Sequence, residues 1–144
     1  MKKYTIGMAI KAHGFPRAPE DDQLTNDFMS GFATADFVKI QLTSLGYSAP
    51  DLVAEDFGWW LSITQPGTGF RASVVFSSFA ESEDDRDMTP EMRVGIEPDT
   101  LFRRKWFFMK EDVSSQVMRF STDVFDILRC AEGIEINDIE VHST

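Results

Sequence analysis

Side chains able to do chemistry are few in this chain and far apart. The two histidines, His13 and His142, stand near opposite ends. No H-x-x-x-H or C-x-x-C pair starts a metal site, which would need several His, Cys or carboxylate ligands to converge. Cys130 is the sole cysteine and closes an apolar helical stripe with no base beside it in sequence; it reads as a half-buried structural thiol, not a nucleophile. No G-x-S-x-G elbow presents a serine. Asp56-Phe57-Gly58 spells the D-F-G of protein kinases, but without an H-R-D loop, a V-A-I-K strand or a Gly-rich loop it is a chance tripeptide. Pro66-Gly67-Thr68-Gly69 lacks the G-x-x-x-x-G-K-[ST] spacing, so its glycines make a turn and not a phosphate cradle. No catalytic residue, metal ligand or cofactor is expected on these grounds. Carboxylates such as Glu55 and Asp56 keep one enzymatic alternative open, a small carboxylate-dependent enzyme whose site is assembled from distant residues.

Residues suited to recognition are more prominent. Glu81, Glu83, Asp84, Asp85 and Asp87 crowd together with only Arg86 opposing them. Such a run is either a solvated loop or a docking patch for a basic partner; it lacks the Gly and terminal Glu of an EF-hand loop. Trp60 falls on the opposite side of its strand from Trp59, beside Ser62 and Thr64. If that side is open, an exposed Trp rimmed by acids has the composition of a protein-binding hot spot; the alternative is that the segment 98–110 covers it. Arg103-Arg104-Lys105 beside Trp106 is the one basic cluster, and its stems are expected to cover neighbouring apolar groups.

Those residues need a scaffold, and the composition sets its limits. At 144 residues with 42% hydrophobic content, 13 Phe and 3 Trp, one domain spanning 1–144 with a real core is expected. Twenty-four acidic against 14 basic residues give a formal charge of -10, which repels phosphates and anionic lipid and suits a basic protein partner. Direct nucleic-acid and membrane binding are therefore disfavoured. A lone cysteine fits a reducing, cytoplasmic location. Lys2 and Lys3 resemble a signal-peptide start, but Thr5, Gly7, Lys11 and His13 interrupt any h-region, and no apolar run reaches membrane-spanning length.

Periodicity supplies the elements. Tyr4, Ile6, Met8 and Ile10 alternate as a first strand. A polar, Pro-containing surface loop follows from Lys11 to Asp22. Phe28, Phe32, Ala35, Val38, Leu42 and Leu45 form the stripe of a helix capped by Thr25 and stopped at Gly46, with Gly31 a weak point near its start. Phe57 to Thr64 and Phe70 to Phe76 alternate about the Pro-Gly turn as a hairpin, and Met92, Val94 and Ile96 make the next strand. Residues 98–110 fit neither period and are read as irregular. Val113, Val117, Phe120, Val124 and Leu128 stripe a second helix from Glu111 to Cys130, with Glu111 and Asp112 at its N-terminal dipole. From Ile134 to His142 the apolar phase slips at Asn137-Asp138, which calls for a bulge or turn. The order is β-α-β-β-β-α-β: an α+β fold with a mostly antiparallel sheet and both helices on one face.

The stretch from Phe37 to Leu61, with Leu45-Gly46-Tyr47 ending a helix and Glu55-Asp56-Phe57-Gly58-Trp59-Trp60 entering a strand, resembles small bacterial proteins with a Glu-Asp-Trp-Gly-Trp-like motif, several of which look like toxin-immunity domains. It covers about a sixth of the chain, and Phe57 stands where the motif has Trp. The resemblance implies an α+β domain that neutralises a partner such as a bacterial toxin. Taken with the charge, the leading expectation is a non-enzymatic acidic protein-binding domain using Trp60 and the 81–87 acids. The alternatives are a nucleic-acid mimic that inhibits a DNA- or RNA-binding protein, the carboxylate-dependent enzyme above, and a homodimer that buries the Trp60 face itself.

Overall fold

Alternating apolar side chains dictate most of the architecture. In the computed structural model, which describes residues 4–24, 29–49, 51–56, 58–67, 70–79, 91–98, 102–105, 109–112 and 114–143, they assemble a sheet-dominated, mixed α+β fold. The elements in chain order are β1 (Tyr4–Lys11), α1 (Pro19–Leu24), β2 (Met29–Ser30), α2 (Phe32–Ser44), β3 (Leu52–Glu55), β4 (Gly58–Gln65), β5 (Phe70–Phe79), β6 (Glu91–Pro98), β7 (Phe102–Lys105), β8 (Met109–Asp112), α3 (Ser114–Cys130) and β9 (Glu135–Ser143).

Six strands lie in the order β3-β4-β5-β6-β1-β9, every neighbouring pair antiparallel, and β2 adds a short pairing onto the end of β5. The first strand thus sits between the last strand and the middle of the chain. Antiparallel pairing sets directly opposed residues on the same face. Trp59, Phe76, Val94 and Met8 make one continuous row, and Leu61, Val74, Ile96 and Ile6 the next. Val38 and Leu42 of α2 and Val117, Phe120, Val124 and Leu128 of α3 join these rows in a single buried cluster. Each such side chain, fully buried, contributes roughly 1.5–3 kcal/mol.

Several elements differ from the sequence expectation. The order is longer than β-α-β-β-β-α-β. Residues 11–22 are not simply a polar surface loop: Ala12 and Asp21 are buried, Phe15 packs on Phe37 with ring centroids 5.0 Å apart, and α1 begins at Pro19, where the missing N–H costs nothing. Helix α2 starts at Phe32 behind Gly31, whose φ of 132° is a conformation few other residues adopt. Thr25, Phe28 and Val113 lie outside the described residues, and Leu45 is exposed. The four-residue β3 is too short to announce itself by alternation. Residues 102–105 and 109–112 pair as a separate two-stranded ribbon where irregular chain was expected. Glu111 and Asp112 therefore belong to a strand and do not sit on the first turn of α3.

The slip in β9 is a bulge. Ala9 faces Asp138 while Ile10 faces Ile136, leaving Asn137 as the extra residue. Its effect is to return Ile136, Ile139 and Val141 to the same side of the sheet, opposite Ile10, Met8 and Ile6.

Candidate functional site

Asp21 shows how the scaffold around Trp59 and Trp60 is held. Its carboxylate is fully buried; Oδ1 accepts the indole N–H of Trp59 at 2.8 Å and the Phe32 N–H at 3.1 Å, and Oδ2 accepts the Ala18 N–H at 2.9 Å. Gly31 offers α2 no capping side chain, so the cap and the negative charge favoured at a helix N-terminus come from α1. The Phe32 ring meets Trp59 edge-on, centroids 5.0 Å apart. Trp59 is thereby fixed inward, and the pleat turns Trp60 outward.

Trp60 is 38% exposed, with Val53 of β3 directly opposite it on one side and Val75 of β5 on the other. Val53 is 43% exposed and Val75 half-buried. The same register row continues through Gly95 and Gly7, where a Cβ would meet nothing within 4 Å, to Glu140 of β9. Along this row the outer face presents an apolar ridge at its β3–β4 end, bare backbone in the middle flanked by the exposed Arg93 and Glu97 of β6, and an acid at its far end. Ala9 and Ser73, short side chains of the central strands on this side, are buried as well.

The acids expected to rim Trp60, Glu81, Glu83, Asp84, Asp85 and Asp87, fall in the connection between β5 and β6 and lie outside the described residues, as does Trp106. Glu55 ends β3 opposite Gly58, and Asp56 follows it in the turn. No cluster of three metal-ligating side chains occurs among the described residues. The glycine of the D-F-G tripeptide is required sterically. Gly58 has φ 138°, and a Cβ there would overlap the Phe76 carbonyl oxygen. Cys130 corrects the expectation of a half-buried thiol, since it is exposed at the last residue of α3.

A second surface had no counterpart in the sequence reading. Between α3 and β9 lie two open hollows of 520 and 220 Å³. The larger is walled by Phe125, Ile134 and Ile136, the smaller by Met118, Ile139 and Val141, and Phe125 and Ile139 line both. Met118 and Val141 are the most exposed of the large apolar residues among the described residues. The signal was present as the re-phased alternation of β9, but only the register shows that it aims Ile139 and Val141 beside α3.

No family model matches the chain, and neither a curated protein nor a solved structure is similar enough to it to indicate kinship. No helix among the described residues is long and apolar enough to cross a membrane.

Proposed function

We propose that this chain is a non-enzymatic, acidic protein-binding domain whose partner is a basic protein, of the kind in which an immunity protein neutralises a toxin. The observation that carries the proposal is the exposed Trp60–Val53 ridge on a chain of formal charge -10. Large aromatic side chains anchor interfaces by area at little entropic cost, and opposite charge accelerates encounter and disfavours wrong partners. In this arrangement α2 and α3 cover one face of the sheet, the Trp60 end of the other face makes the contact, and Glu81, Glu83, Asp84, Asp85 and Asp87 supply negative charge that attracts the basic partner. A reducing, cytoplasmic setting suits the single cysteine.

The test is affinity capture from a lysate of the organism that encodes the protein, at low and physiological salt, with wild type, Trp60→Ala and a Glu83→Gln, Asp84→Asn, Asp85→Asn bait. A basic protein held by wild type and lost by the variants supports the proposal. A wild-type dimer that Trp60→Ala dissociates, with nothing captured, makes the face a self-association surface instead.

A further inference from the structure

We infer that residues 12–24 are a latch that opens as one unit, and that its opening loosens the strand bearing Trp60. The segment leaves the sheet where β1 ends and is fastened at three points, each to chain far off in sequence. At its start, Gly14 lies backbone to backbone on Gly133, in the turn between α3 and β9. The Gly14 N–H donates to the Gly133 carbonyl at 2.9 Å, and a Cβ on Gly133 would come within 2.6 Å of the Gly14 Cα. Next, the Phe15 ring packs on Phe37 of α2. At its end, Asp21 accepts the Phe32 N–H and the Trp59 indole N–H.

Local structure between these anchors cannot hold itself. The Ala12 and Ala18 carbonyls close single turns, accepting the Phe15 and Asp21 N–H groups at 2.9 and 3.0 Å, and the segment's helix is the six-residue α1. An isolated helix that short is not stable in water, so α1 lasts while Asp21 is docked. Pro16 and Pro19 fix φ at two positions between Phe15 and Asp21, so a shift at one anchor is carried to the next. His13, Gly14, Pro16 and Pro19 are exposed. A segment with few buried contacts opens at low free energy, whereas Val74 and Val94, fully buried in the central strands, open only with the whole fold.

Release of Asp21 passes to the outer face between neighbours in the chain. Trp59 loses the acceptor of its indole, and α2 loses its cap at the residue whose ring meets Trp59 edge-on. Trp60 follows in β4, and Val53 beside it belongs to the four-residue edge strand β3. A closed latch holds the Trp60–Val53 ridge in one geometry, which lowers the ordering cost of binding. As a control on binding the latch rests on the proposed function; as a unit of opening it does not.

The test is hydrogen exchange read by NMR on the protein alone, for wild type, Phe15→Ala, Gly133→Ala and Ile96→Val. The Gly14, Asp21 and Phe32 amides and the Trp59 indole are expected to share one protection factor, below that of the Val74 and Val94 amides. Phe15→Ala and Gly133→Ala each remove an anchor, and are expected to lower all four about tenfold together, with the Val53 amide following. Phe15→Ala demands no new backbone conformation and carries the test should Gly133→Ala fail to fold. Ile96→Val, in the core outside the latch, is expected to lower Val74 and Val94 several-fold and leave the latch groups unchanged. The inference is overturned if the Trp59 indole or Val53 keeps its protection when the Gly14 amide loses it. It is equally overturned if Ile96→Val lowers the latch groups along with the central amides, because they then exchange only by global unfolding. Capture with a Phe15→Ala bait separates the two proposals. A basic protein held more weakly by this bait supports the control; one held as well as by wild type leaves the proposed function standing and overturns the control. If nothing is captured the proposed function falls, the control falls with it, and the exchange still decides whether the latch opens as one unit.

Discussion

At the scale of single residues, the structure rests on a few contacts that types alone do not reveal. Asp21 reads in the sequence as one member of an acidic trio, yet it is the buried acceptor joining α1, α2 and Trp59; one of its donors, the Ala18 N–H, is local, but the two that tie it into the core come from chain 11 and 38 residues away. Replacing it with Ala leaves the Trp59 indole and the Ala18 and Phe32 backbone N–H groups without this acceptor, and urea unfolding is expected to show a loss of about 3 kcal/mol. Gly58→Ala, forced onto the Phe76 carbonyl, is expected to cost about 3 kcal/mol or more, against about 1 kcal/mol for Gly67→Ala, whose added methyl meets open space. Tyr47 donates its hydroxyl to Asp123 Oδ2 at 2.6 Å, tying the end of α2 to α3. Burial, then this bond and the charge of Asp123, push the phenol above its ordinary value of 10. Below pH 10 the ring is protonated in both states and the contribution is complete; above it the unfolded chain ionises first, so stability falls as pH rises. Tyr47→Phe is expected to lose about 1–2 kcal/mol at neutral pH and to show a shallower alkaline decline, measured by unfolding between about pH 7 and about pH 11.

At the scale of elements, legibility followed length and regularity. The buried sets of β4, β5 and β6 and the stripe of α3 were readable because eight or more residues repeat one period: Trp59, Leu61 and Ile63 in β4, Val117, Phe120, Val124 and Leu128 in α3. The six-residue α1, the four-residue β3 and the two-stranded ribbon of β7 and β8 carry too few repeats to stand out. The phase slip in the last strand was visible, and the register identifies Asn137 as the bulged residue. Deleting Asn137 leaves Ile136, Asp138, Ile139, Glu140 and Val141 in strict alternation, so the variant is expected to keep its core and stay within about 1 kcal/mol of wild type. Inserting an alanine after Asn137 instead either enlarges the bulge or slides Ile139 two residues along β1, from Met8 to Ile6, and is expected to melt several degrees lower by calorimetry.

For the whole molecule, charge and topology were unequally legible. The net charge of -10 is a matter of counting, and self-repulsion of that sign is relieved by screening. The melting temperature is accordingly expected to rise by a few degrees between about 20 mM and about 300 mM salt; a fall would show that attractive pairs outweigh the repulsion. The strand order, with β1 between β6 and β9, depends on pairing across the full length of the chain, which no local period encodes. For the same reason the Trp60 ridge was foreseen in part, since outward direction follows from alternation but Val53 as its neighbour needed β3, and the trough between α3 and β9 was not foreseen at all. The central claim is that the Trp60 face meets a basic protein. Its most direct measurement is the capture experiment with wild-type and Trp60→Ala baits, followed by hydrogen exchange on whatever complex forms. The expected result is one basic protein retained by wild type, released by Trp60→Ala, and protecting β3 and β4. The same proteins on both baits, or protection that leaves β3 and β4 untouched, would contradict it.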